Sequence, residues 1–120
     1  MKLGLVDTQV RMFGVDGGPT ANGRAEVARQ LESMGRWVEA RVFWEQVVAA
    51  YRRNRGADDL MTVQSEEFLA LNLAKSDLHQ DAINLMDHVV AVYRQALGPD
   101  HEQTTRAIRF RERIKALDSE

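Results

Sequence analysis

The residues best suited to chemistry in this chain are arginines. Arg106, Arg109, Arg111 and Arg113 lie close together near its end, and Arg52-Arg53-Asn54-Arg55 forms a second basic run. A guanidinium presents forked donors that match a carboxylate, so paired arginines suit an acidic segment or a C-terminal carboxylate. The same groups also serve as plain solubilising charge on a terminal helix. Cations at the end of a helix oppose its dipole favourably, which accounts for the run at Arg52 without a ligand. RNA binding would call for aromatics between the basic residues, and only Phe110 stands there, at a spacing that turns it inward.

Other chemistries find less support. The three histidines, His79, His88 and His101, form no HExxH or Glu-x-x-His pattern and no convergent carboxylate set, so no metal site is expected. Asp87 and His88 are expected on the outer, solvated side of their helix. Ser33, Ser65 and Ser76 have no evident base partner. The glycines from Gly14 to Gly18 lack the GxxxxGK pattern of a phosphate loop and suit a turn instead. With no cysteine, disulfides and thiol nucleophiles are excluded. No catalytic residue and no cofactor site can be named, and the chain is expected not to be an enzyme.

Composition sets the frame around these residues. At 120 residues, with 44% hydrophobic and 28% charged side chains, the chain is long enough for one domain with a modest core. A net charge of -2 creates no field for nucleic acid or a membrane surface. No stretch is apolar enough for a signal peptide or a bilayer span, so a cytoplasmic protein is expected.

The elements that must position the arginines recur at a fixed interval. Tyr51 and Tyr93, Gly56 and Gly98, Asp58 and Asp100, and Thr62 and Thr104 are each separated by 42. Ala40/Ala82, Val47/Val89, Val48/Val90, Ala49/Ala91 and Arg52/Arg94 keep that spacing. Apolar residues at i, i+3, i+4 and i+7 predict helices over Thr20–Met34, Trp37–Asn54, Leu60–Ser76, His79–Leu97 and Glu102–Leu117. Gly56 suits a left-handed residue ending its helix, and Asp58 or Asp59 can cap the next one. Asp100 with Gln103 resembles a capping box. In Met1–Phe13, Leu3, Val6, Val10 and Phe13 have helical spacing, although β-branched residues leave a strand open. The period favours a short helix there, covering one end of the stack. Trp44 is expected in the core, and Trp37 half-exposed at a turn.

Helix pairs repeated at constant spacing predict an all-α fold, an α-solenoid of antiparallel hairpins with about five main helices and a short N-terminal segment. A single domain is expected, with a leader and loop over 1–19, repeats over 20–56 and 57–98, and a capping helix over 99–120. Gly98-Pro99-Asp100-His101…Thr104 resembles the inter-repeat signature of tetratricopeptide-like repeats of the kinesin light chain type. Gly35-Arg36-Trp37-Val38-Glu39-Ala40 is similar to that family's turn between its A and B helices. The chain departs from the pattern at Glu102, where the family has proline, and at Gly14-Val15-Asp16-Gly17-Gly18 in the first copy. In the last helix, Arg111 and Glu112 occupy the places of Leu69 and Ala70, which suits a polar terminal cap.

The resemblance implies a protein- or peptide-binding adaptor or scaffold. It also implies that A helices line a concave face, which would present Arg29, Gln64, Glu67, Leu71, Lys75, Arg106, Arg109 and Arg113. The family's two-carboxylate clamp is not expected, because Ala25 and Arg29 replace its lysine–asparagine pattern. So short a stack leaves its ends to be covered, either by its own terminal segments or by a second copy in a homodimer. The alternative is an accessory or regulatory subunit that binds a small molecule near Phe68, Leu71 and Arg109, or supports a partner enzyme.

Overall fold

A computed structural model describes residues 18–119, with side chains from residue 21 onward. The expected leader over Met1–Phe13 and the turn that follows it to residue 17 lie outside the described residues. Within them are five helices and no strand: α1 Gly18–Ser33, α2 Trp37–Arg55, α3 Leu60–Lys75, α4 His79–Leu97 and α5 Glu102–Asp118. The all-α expectation holds, and helix ends fall within two residues of those expected. The described residues form two compact units, divided between Ser65 and Glu66 within α3.

In the first unit α1 packs on α2. Val27, Ala28 and Leu31 of α1 are buried, as are Ala40, Trp44, Val47 and Val48 of α2. Trp44 is 1% exposed, the core position expected of it, and its indole Nε1 donates to Glu32 Oε2 at 3.0 Å. Trp37 is half-buried. For Trp44 the polar atom of the indole is satisfied while its rings are removed from water.

In the second unit α4 packs on α5. Ala82, Met86, Val89, Val90 and Tyr93 of α4 are buried with Ala107 and Ile114 of α5. Leu117 is 50% exposed. It lies in the final turn of α5, past the last buried residue of that helix, Ile114.

The 42-residue period is visible in the backbone itself. Gly35 and Asp77 have φ of 75° and 62°. Gly56 (φ 95°, ψ 159°) and Gly98 (φ 99°, ψ 155°) also agree closely. These two are not in the left-handed helical region expected for Gly56. Their positive φ with extended ψ belongs to a region open essentially to glycine alone. That conformation redirects the chain out of the helix before another begins. Small side chains recur too: Gly23, Ser65 and Ala107 are all buried and spaced by 42. One column breaks the rule, since Ala28 and Ala70 are buried but Glu112 is exposed.

Candidate binding surface

The turns that aim the candidate residues are built from caps. Asp59 Oδ1 accepts from Met61 N at 2.8 Å and from Arg55 Nε at 2.9 Å. These donors hold the Asp59 carboxyl below the usual carboxylate range, the Arg55 bond contributing most. Thr62 is fully buried, and its hydroxyl donates to Gly56 O at 2.7 Å. At the start of α5 the cap is His101, whose Nδ1 accepts from Gln103 N at 3.1 Å. Asp100 is therefore not the cap that the Asp100–Gln103 spacing suggested. The intervening turn, closed by His101 N donating to Gly98 O at 3.3 Å, delays the helix by one residue.

Of the residues expected on a binding face, Arg29 and Gln64 belong to the first unit, and both are exposed. The Arg29 guanidinium lies 5.7 Å from the centre of the Trp44 ring, within cation–π range. The second unit holds the others. Leu71 is 40% exposed, and Lys75, Arg106, Arg109 and Arg113 are also exposed. Arg106, Arg109 and Arg113 follow one another at i, i+3 and i+7, so α5 presents them on one side.

Glu67 is the least exposed of this set, and it links three helices. Its Oε1 accepts a hydrogen bond from the hydroxyl of buried Tyr93, while its Oε2 lies 3.7 Å from Arg106 Nη2. Burial, and then the bond to Glu67, push the Tyr93 phenol well above its ordinary value. The sequence pattern placed Tyr93 on the apolar face without revealing this polar role.

A second polar contact was also missed. His88 Nδ1 and Glu66 Oε1 are 2.6 Å apart, and Glu66 is 1% exposed. His88 is thus half-buried against a carboxylate rather than on a solvated outer side. The signal was present in the spacing: Val63, Glu66, Ala70 and Leu73 fall at i, i+3, i+7 and i+10, and all four are buried.

One surface depression lies away from Phe68, Leu71 and Arg109. It is an open hollow of about 460 Å³ in the first unit, lined by Arg24 of α1 and by Val42, Glu45, Gln46, Ala49 and Arg53 of α2. No group of three or more histidine or carboxylate side chains placed to hold a metal occurs among the described residues. No helix among them is long and apolar enough to cross a membrane.

Residues 68–103 match the tetratricopeptide repeat family model. They run from the middle of α3, through α4, to the glycine turn and the start of α5. A solved structure from Podosopora anserina, named for kinesin light chain and nearly identical TPR-like repeats, superimposes with a TM-score of 0.86 at 22% identity. The match covers 94% of this chain and 54% of the other, so the chain spans about half that protein's length. The fold is a tetratricopeptide-like repeat fold. No curated protein matches the chain. Tetratricopeptide repeats generally mediate protein–protein interaction.

Proposed function

We propose that this tetratricopeptide-like chain is a non-catalytic adaptor or scaffold that binds a protein or peptide through an acidic segment or C-terminal carboxylate. The observation that carries this reading is the exposed arginine series of α5, Arg106, Arg109 and Arg113, on one side of a repeat-fold helix. Guanidinium groups at that spacing match successive carboxylates of a ligand. Lys75, exposed at the end of α3, adds a further cation within the same unit.

Partner capture from native lysate tests the proposal, with Arg106/Arg109/Arg113→Glu as the control. Loss of captured partners in the control is the expected result, and retained binding overturns the arginine assignment. Self-association belongs to the same proposal. It is supported by apolar side chains left in water, with Val38 62% and Val42 51% exposed in the first unit and Leu117 50% in the second. Light scattering over a range of concentrations is expected to report a dimer, and a strict monomer removes that part.

A further inference from the structure

The arginine series of the second unit contains its own competitor. Glu67 is the one acidic residue among the eight positions of the expected binding face. One period earlier the same position is Ala25, and one period later it is Arg109 (67 − 25 = 109 − 67 = 42). An acid at this place is therefore not a demand of the repeat. Nor is Glu67 free to swing into solvent. Its side chain is 16% exposed, and Tyr93, itself 1% exposed, donates its hydroxyl to Oε1. The other oxygen faces Arg106 at 3.7 Å, close enough for an ion pair and too long for a direct hydrogen bond. Arg106 is 61% exposed and can leave without disturbing any core packing.

We propose that Glu67, anchored by Tyr93, competes with an acidic ligand for Arg106 and so weakens and grades binding at the α5 arginines. This inference rests on the acidic-ligand reading above. Arg109 and Arg113 meet the ligand first, and Arg106 joins only when a ligand carboxylate outcompetes the fixed carboxylate of Glu67. The anchoring matters because a mobile glutamate would withdraw as a like charge approached. Held by Tyr93, Glu67 remains both a rival partner for Arg106 and a repulsive charge for the ligand. Ligands with dense negative charge recruit all three arginines, while a single carboxylate recruits two.

Affinity for a fluorescein-labelled oligoglutamate peptide tests this directly, with wild type, E67Q, R106A and E67Q/R106A compared at low and physiological salt. Glutamine keeps an oxygen for the Tyr93 hydroxyl and removes only the charge. E67Q is expected to bind about two- to five-fold more tightly, as befits an exposed ion pair. The gain is expected to vanish when Arg106 is absent. A matched charge removal in the first unit, E45Q, is expected to leave affinity unchanged. Binding by the wild type with no gain in E67Q overturns the competitor while sparing the acidic-ligand reading, and so does a gain that persists without Arg106. Failure of both wild type and E67Q to bind the peptide overturns both.

Discussion

Asp77 holds the same left-handed backbone conformation as Gly35, one 42-residue period before it. Each follows a helix and is succeeded by a residue whose N–H reaches back five positions, Arg36 to Leu31 O and Leu78 to Leu73 O, both at 2.9 Å. The turn is thus one device built with two residues, and only glycine enters this region without cost. Asp77→Gly is expected to stabilise the protein by roughly 0.5–1 kcal/mol, the relief of backbone strain less the extra entropy of an unfolded glycine. Gly35→Ala is expected to cost about 1 kcal/mol. A Cβ at Gly35 meets nothing within 4 Å, so that loss reports the backbone alone. Urea midpoints at constant m value measure both.

His101 and Asp59 are also one period apart (101 − 59 = 42), and each accepts from the N–H two residues on. The carboxylate adds charge that favours a helix N-terminus, whereas the imidazole offers only a lone pair. His101→Ala is expected to cost about 1 kcal/mol, and His101→Asp to match or exceed wild type by about 0.5 kcal/mol. Thermal melts of the two variants decide it. A silent His101→Ala would show that the contact does not cap α5.

Alkaline pH tests the Tyr93–Glu67 contact. The Tyr93 phenol is raised in the folded protein by burial and by its bond to Glu67. An unfolded tyrosine ionises near pH 10. Below that value both states keep the proton, and the stabilisation is fully present. Above it the unfolded chain loses a proton that the folded protein retains, so stability falls as pH rises. Tyr93→Phe is expected to flatten this decline above pH 10 and to cost about 1–2 kcal/mol at neutral pH, where the hydrogen bond to a carboxylate is lost. Urea denaturation across pH, with tyrosinate absorbance followed in a Tyr51→Phe background, measures both effects.

Most of the architecture was legible because the repeat states it twice. The glycines at 56 and 98 end helices wherever they occur, and apolar spacing located α2 and α4 within a residue. Polar pairing was harder to read. Asp59 was one of the two aspartates expected to cap α3, but at α5 the cap fell on His101 rather than Asp100, because the turn uses one more residue than the aspartate signature suggests. Glu66 was overlooked because a glutamate on an apolar face is expected at the surface, although its spacing from Val63 and Ala70 placed it inside. The partnership of Tyr93 with Glu67 spans 26 residues, and no local pattern connects the two. Of the candidate site, the sequence supplied the list of residues, and the geometry added which of them are already engaged.

The Glu66–His88 contact carries the last prediction. Glu66 is almost wholly buried, and a carboxylate removed from water needs its partners, so truncating His88 strands part of that charge. His88 is 34% exposed, which lets water screen the loss and keeps it below that of a fully enclosed pair. His88→Ala is expected to cost about 2 kcal/mol, and His88→Gln, which retains an N–H donor, less than half of that. Glu66→Gln in the His88→Ala background is expected to recover about 1 kcal/mol, since the stranded charge is gone. A double-mutant cycle by urea denaturation gives the coupling directly. If the two losses simply add, the 2.6 Å contact contributes nothing of its own, and Glu66 is held by its other neighbours.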